Sequence, residues 1–253
     1  MKRRLKLTLE YDGSAFFGWQ IQTKTGERTV QGVLQGALAK LPGEHSSLKA
    51  AGRTDAGVHA LAMAAHFDTT TSIPDNRLLR ALNANLPPDV RVLKLEPVSD
   101  TFEAQYDCLY RQYLYRMRYY RDDLSGMSLD RFRVLPLFRE LDAEAMQAAT
   151  TWLLGKHDFA AFATQETRAT VREIYLCKLE ITGRDLSLQI AADGFLRNMV
   201  RAVVGTLIKV GEGVFQPEDI KGILESKDRA QAGDNVPPQG LYFVKAGYDP
   251  WKI

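Results

Sequence analysis

Apolar and polar positions alternate from residue 4 to residue 11, which puts Leu5, Leu7, Leu9 and Tyr11 on one face of a strand. After a loop spanning 12–28, which carries the exposed-looking run Phe16-Phe17-Gly18-Trp19-Gln20, the period lengthens. Val30, Val33, Leu34, Ala37, Leu38 and Leu41 follow helical spacing, with Thr29 placed as N-cap and Pro42-Gly43 as terminator. A short strand then enters a turn at Gly52, and a second leaves it and ends near Phe67. A helix follows Pro74 with Leu78, Leu79 and Leu82 inward, and Pro87-Pro88 stops it. Val90, Val92 and Leu95 mark a closing strand.

The second half repeats that order. A strand over 110–119 leads through a polar connection, up to about residue 140, into a helix over 142–154. A hairpin pairs 171–181 with 186–192 around Thr182-Gly183-Arg184-Asp185. A helix over 195–210, a short one near 217–225 and a strand over 241–247 complete the chain. Strand, helix, strand, strand, helix, strand is the split βαβ, ferredoxin-like unit. The expected fold is therefore α+β: two ferredoxin-like halves, 1–104 and 105–253, joined into a mainly antiparallel sheet with helices on one face. The loops at one end would frame a cleft between the halves.

Composition narrows this little. With 253 residues, 45% hydrophobic and 25% charged, the chain is an ordinary globular protein. No apolar run approaches the roughly 18 residues of a membrane span. Two cysteines, Cys108 and Cys177, are too few for a disulfide scaffold, and a reducing cytoplasm is the default compartment. A net charge of +2 says nothing about partners, so any nucleic-acid signal must come from local clustering.

Such clustering occurs. Residues 110–121 hold five tyrosines and four arginines, stacking faces and phosphate-pairing forks together. Sheet packing accounts for tyrosines in a strand, but not for arginines interleaved with them. Arg197 and Arg201, four apart, would share a face in the first turn of the 195–210 helix. A cation there opposes the helix dipole, which an anionic partner would offset. Arg201 lies flush with the apolar stripe and suits a paired role, whereas a solvated surface suits Arg197 equally well. Between Gly52 and Gly57 stand Arg53, Thr54 and Asp55: a cation, a hydroxyl and a carboxylate on a short loop. A polar hairpin with Asp55 in an Asx-turn satisfies the same spacing. His59 and His66 lack zinc spacing, and no Gly-rich phosphate loop or serine elbow is present.

These stretches together resemble one family. Gly52-Arg53-Thr54-Asp55-Ala56-Gly57-Val58-His59 is similar to the signature of the tRNA pseudouridine synthase A family. Tyr11-Asp12-Gly13, Gly18-Trp19-Gln20, Val30-Gln31 and Asn83-Ala84-Asn85-Leu86-Pro87 agree with it. So do Arg111-x-Tyr113-x-Tyr115, Leu154-Gly155-x-His157-Asp158-Phe159, Met199-Val200-Arg201 and Gly240-Leu241-Tyr242, all in the family's order.

The resemblance implies a tRNA isomerase that converts uridine to pseudouridine at positions 38, 39 and 40 of the anticodon stem-loop. It further implies a homodimer without metal or organic cofactor. Asp55 would be the nucleophile, Arg53 would assist base flipping, and Tyr113 would pack on the flipped ring. Arg201 would pair with the carboxylate, Leu241 would wall the base pocket, and Arg111 would contact substrate. The chain departs from the family pattern at Gln105, Ala62-Met63-Ala64, Ala163 and Arg197-Asn198, which bears on substrate range more than on chemistry. Two other classes compete. A tRNA binder without turnover would not need the Asp55, Tyr113 and Arg201 set. An aspartate-dependent phosphatase would need a second carboxylate, and usually magnesium, at spacings the chain does not offer.

Overall fold

The computed structural model describes residues 2–22, 26–164 and 169–252, so part of the 12–28 loop, at 23–25, lies outside the described residues. The chain forms two compact units, Met1–Leu109 with Tyr242–Ile253, and Tyr110–Leu241.

The first unit contains β1 (Arg3–Tyr11), α1 (Val30–Leu38), β2 (Lys49–Ala50), β3 (His59–Thr69), α2 (Asp75–Asn85) and β4 (Val90–Val98). β1 runs antiparallel to both β3 and β4, so the order is β4-β1-β3. Leu5, Leu7, Leu9 and Tyr11 are all buried, as the alternation requires. The register against β3 slips between Leu9, opposite Met63, and Tyr11, opposite Ala60. That bulge turns the end of β1 toward the loop preceding β3. β2 lies antiparallel to β3 at Ala65 and His66. Far along the chain, residues Tyr242 and Phe243 lie parallel to β3 at His59 and Ala60. Thr29 caps α1 through its hydroxyl, which accepts from Gly32 N–H at 3.2 Å.

The outer face of β1 is held by charge. Arg4 Nε donates to Asp68 at 2.7 Å, and Lys2 Nζ lies 3.0 Å from the same carboxylate. The Arg4 hydrogen bond holds the Asp68 carboxyl well below its ordinary 3.8, at about 2. A carboxyl depressed in the folded state adds stability that is full above its unfolded pKa and vanishes as pH falls through its folded one. Urea unfolding followed from about pH 5 to about pH 2 should show this loss in the wild type. Asp68→Asn should be less stable at the upper end, and the difference should close at the lower end.

The second unit contains β5 (Tyr110–Tyr119), α3 (Met127–Asp130), β6 (Leu135–Leu137), α4 (Ala143–Thr150) and β7 (Gly155–Asp158). It continues with β8 (Val171–Thr182), β9 (Asp185–Ala192), α5 (Met199–Gly211) and α6 (Asp219–Ser226). β10 (Leu241–Gly247) begins on the last residue of this unit and runs into the first. The antiparallel order is β5-β9-β8-β7, and β6 pairs parallel with β5. Tyr113, Tyr115 and Met117 of β5 face Ile190, Leu188 and Leu186 of β9, and all six are buried. α5 is buried around almost its whole circumference, from Met199 to Gly211, as a central core helix must be. The architecture is α+β with mostly antiparallel strands, as the repeated element order predicts.

Three local expectations differ from the structure. The connection before residue 140 is not merely polar, since it holds α3 and β6. β7 is an additional strand. α5 starts at Met199, not Phe195, because Asn198 takes the left-handed φ of 62° and interrupts the helix. Arg197 therefore precedes the helix and shares no helical face with Arg201.

Candidate active site

In the first unit, Arg53 and Asp55 are exposed and Thr54 between them is buried. Such alternation belongs to an extended stretch with one side chain turned inward. Thr54 is held twice. Its carbonyl accepts from Trp19 N–H at 3.1 Å, and its hydroxyl lies 2.8 Å from the buried Tyr11 hydroxyl. The Asp55 carbonyl accepts from Val58 N–H at 3.2 Å, and Gly57 N–H donates to Phe16 at 3.2 Å. Gly57 takes the left-handed φ of 77°; Gly52 does not, so only the second of the two glycines makes the left-handed turn.

The 13–19 stretch is the bed on which this loop lies. Phe16 and Trp19 are buried, and Phe17 alone of its three aromatics is exposed, which corrects the expectation of an exposed run. A methyl on Gly18 would sit 2.4 Å from the Thr54 carbonyl oxygen, at a φ of 83°. One on Gly13 would lie 2.0 Å from that of Val58. Only glycine lets the two backbones approach this closely. Arg28 fixes the far side with a bidentate pair to Asp89 at 2.7 and 2.8 Å, its guanidinium 4.0 Å from the Phe16 ring centre.

His59, where the loop enters β3, is buried. Its Nδ1 accepts from Gly13 N–H at 3.1 Å, with Asp12 Oδ1 at 3.3 Å. Its ring stacks on Tyr242, centroids 4.6 Å apart. His66 is similarly occupied: Nδ1 accepts from Ala104 N–H at 3.1 Å, and burial lowers its pKa. Both histidines thus serve backbone groups, and among the described residues no His, Cys, Asp and Glu group is placed to hold a metal.

In the second unit, Tyr113 is buried in β5, and its ring meets Phe195 edge-on with centroids 5.1 Å apart. Arg111, two residues earlier, donates to the Asp193 carbonyl at 2.9 Å. Arg118 and Arg121 are engaged in ion pairs. Arg118 bridges Asp185 and Asp130, and Arg121 reaches Glu140. Arg111, Arg118 and Arg121 are thus bound into the fold.

Arg201 occupies the first turn of α5. Its Nε donates to the Val236 carbonyl at 2.6 Å and its Nη1 to Asn198 Oδ1 at 3.3 Å. The segment carrying Val236 crosses α5 where Gly205 and Gly233 meet, and Gly233 N–H donates to Thr206 Oγ1 at 2.9 Å. Leu241 is buried at the start of β10, immediately after the turn at Pro238–Gly240. Tyr115 is fully buried and donates to the Pro237 carbonyl at 2.7 Å. Burial raises its pKa, so it remains a neutral phenol. The Cys177 thiol is pushed up to about 12 by burial, which leaves it protonated at neutral pH.

Thus Arg53 and Asp55 lie together on one loop of the first unit, and Arg111, Tyr113, Arg201 and Leu241 belong to the second. Of the departures, Gln105 and Arg197 are exposed, whereas Ala64 and Ala163 are buried. Sequence reasoning missed Tyr11, Thr54 and His59 as the loop's internal frame. The only available signal was a tyrosine, rather than a phenylalanine, closing the apolar alternation of β1.

The model of the family described as tRNA pseudouridine synthase matches residues 8–107 and 149–249. A tRNA pseudouridine synthase A from Thermus thermophilus is 45% identical, the match covering 99% of each chain. One from Bradyrhizobium diazoefficiens is 42% identical over 97% of this chain and 99% of its own. One from Caldicellulosiruptor saccharolyticus is 40% identical over 97% and 100%. The exposed Arg53–Asp55 loop and the helix carrying Arg201 fall within the matched residues, whereas the strand carrying Tyr113 lies between the two matched segments. The chain belongs to the tRNA pseudouridine synthase family.

Proposed function

We propose that this protein isomerises uridine to pseudouridine at positions 38, 39 and 40 of the tRNA anticodon stem-loop, as a cytoplasmic homodimer, with Asp55 as nucleophile. The observation that carries this reading is a carboxylate presented outward on a loop whose neighbours on both sides are fixed to the protein interior. A carboxylate acts as a nucleophile when it is ionised and held in place. With Asp55 attacking the nucleotide, the bond from N1 to the ribose breaks, and the freed base turns and rejoins the ribose through C5. The proton on C5 is lost and N1 gains one, so the product is an isomer of the substrate. Since no group is transferred to a second molecule, the reaction consumes no co-substrate.

The other residues take supporting roles. A base in a helical stem must be extruded, at a cost of a few kcal/mol of unstacking, and Arg53 occupies the space it leaves. By the family resemblance, Tyr113 and Leu241 are assigned to the flipped base, Arg201 to the part of the carboxylate's partner, and Arg111 to the RNA backbone.

Purified protein incubated with unmodified tRNA, followed by pseudouridine mapping at single-nucleotide resolution, tests the reading. Product confined to positions 38–40 is expected. Product elsewhere would overturn the positional assignment, and bound tRNA without product would favour a non-catalytic binder. Affinity for an anticodon arm should fall linearly on a log–log salt plot, with a slope of about −0.7 to −0.9 per phosphate contacted. Salt-independent binding would remove the arginines from the RNA contact.

A further inference from the structure

We propose that the buried hydroxyl pair of Tyr11 and Thr54 is a positioning device that sets the direction of the Asp55 side chain; the proposal rests on Asp55 being the nucleophile. Backbone bonds fix the path of the loop: Trp19 N–H to the Thr54 carbonyl and Val58 N–H to that of Asp55. They do not fix which side of an extended stretch faces inward. That is decided by the side chain of Thr54, because neighbours in such a stretch point to opposite sides. With the Thr54 hydroxyl 2.8 Å from that of Tyr11, residue 54 is locked inward, and Arg53 and Asp55 are turned outward together.

The partner is itself well placed for this. Tyr11 ends β1 just past the register slip, is 4% exposed, and has the Trp19 ring tilted beside it at 6.4 Å. A phenylalanine would fill the same volume, so core packing alone does not call for a hydroxyl here. The bed below admits no compensating shift, because Gly18 already lies against the Thr54 carbonyl.

The loss of such a device acts on the chemical step. Small displacements of a reacting group lower kcat, whereas tRNA affinity is spread over many phosphate contacts. Tyr11→Phe and Thr54→Val each remove the hydroxyl contact at nearly constant volume, and Thr54→Ser keeps it. We expect either single variant to lower kcat on the order of 10- to 100-fold with KM for tRNA little changed. The double variant should be no worse than the weaker single, and Thr54→Ser should retain near wild-type kcat. Unchanged kcat in both singles, losses that multiply in the double variant, or failure of Thr54→Ser to retain activity would each overturn the proposal.

A readout independent of turnover separates this claim from the functional reading. Hydrogen exchange at the Trp19 and Val58 amides should quicken in Tyr11→Phe and Thr54→Val while the β1–β3 amides keep their protection. Unchanged protection at both loop amides would overturn the positioning role whether or not the wild type makes pseudouridine. If the wild type makes none but the loop amides respond, the hydroxyl pair still sets the loop and the functional reading falls alone.

Discussion

Asp55→Asn should abolish pseudouridine formation, lowering kcat by a factor on the order of 10⁴ or more. An amide has the size of a carboxylate and none of its nucleophilicity, so the substitution removes the attacking group at constant volume. Asp55 is exposed, and its backbone carbonyl makes the Val58 turn. The melting temperature should therefore stay close to that of the wild type. Binding of tRNA should be retained or slightly tightened, since one negative charge is removed from the approach of a polyanion. Turnover measured beside thermal melting and a binding titration checks all three outcomes. Near wild-type turnover would remove Asp55 from the chemistry and return it to the role of a turn residue.

Gly205→Ala should destabilise the protein, against the usual sign for a helix interior. Exchanging glycine for alanine within a helix normally stabilises by about 1 kcal/mol. Here the added carbon would lie 1.9 Å from the Asp234 carbonyl oxygen, a backbone atom that cannot rotate away. Gly233 makes the reciprocal approach to Gly205 and Thr206. Relief requires the 233–236 segment to lift from α5, at a cost of about 1–3 kcal/mol or more, beyond the helix-propensity gain. The melting temperature should drop by several degrees. The same displacement pulls the Val236 carbonyl from Arg201 Nε, so kcat should fall in protein that is still folded. A variant as stable as the wild type would mean that the segment moves freely and does not hold Arg201.

The elements legible in the sequence were those whose burial is one-sided. β1 alternates cleanly, α1 and α2 carry apolar stripes, and proline or glycine ends each of those stripes. β7 was invisible because Gly155-Lys156-His157-Asp158 has no apolar face; its pairing with β8 creates it. β6, with Pro136 at its centre, reads as a breaker and forms only because β5 offers a partner. The start of α5 was misplaced because Phe195, Met199 and Val203 keep helical spacing across a residue whose backbone is left-handed. At the candidate site, residue types and order were legible through the Gly52–His59 run. What supports them was not, since Tyr11, Gly13, Gly18 and Trp19 meet that run through long-range hydrogen bonds and close backbone approaches that residue spacing does not reveal.

The division of the chain bears on its biosynthesis. The first unit takes its opening stretch from residues 1–109 and its last from Tyr242–Ile253, so the whole of 110–241 is translated in between. N-terminal segments generally begin folding during synthesis. Here β1, β3 and β4 can pair early, while the edge of β3 at His59 and Ala60 waits for Tyr242 and Phe243. Until then the His59 ring, which leads directly from the Asp55 loop, lacks its stacking partner. The support of that loop is therefore complete only once Tyr242 has been translated, after every residue assigned to the reaction.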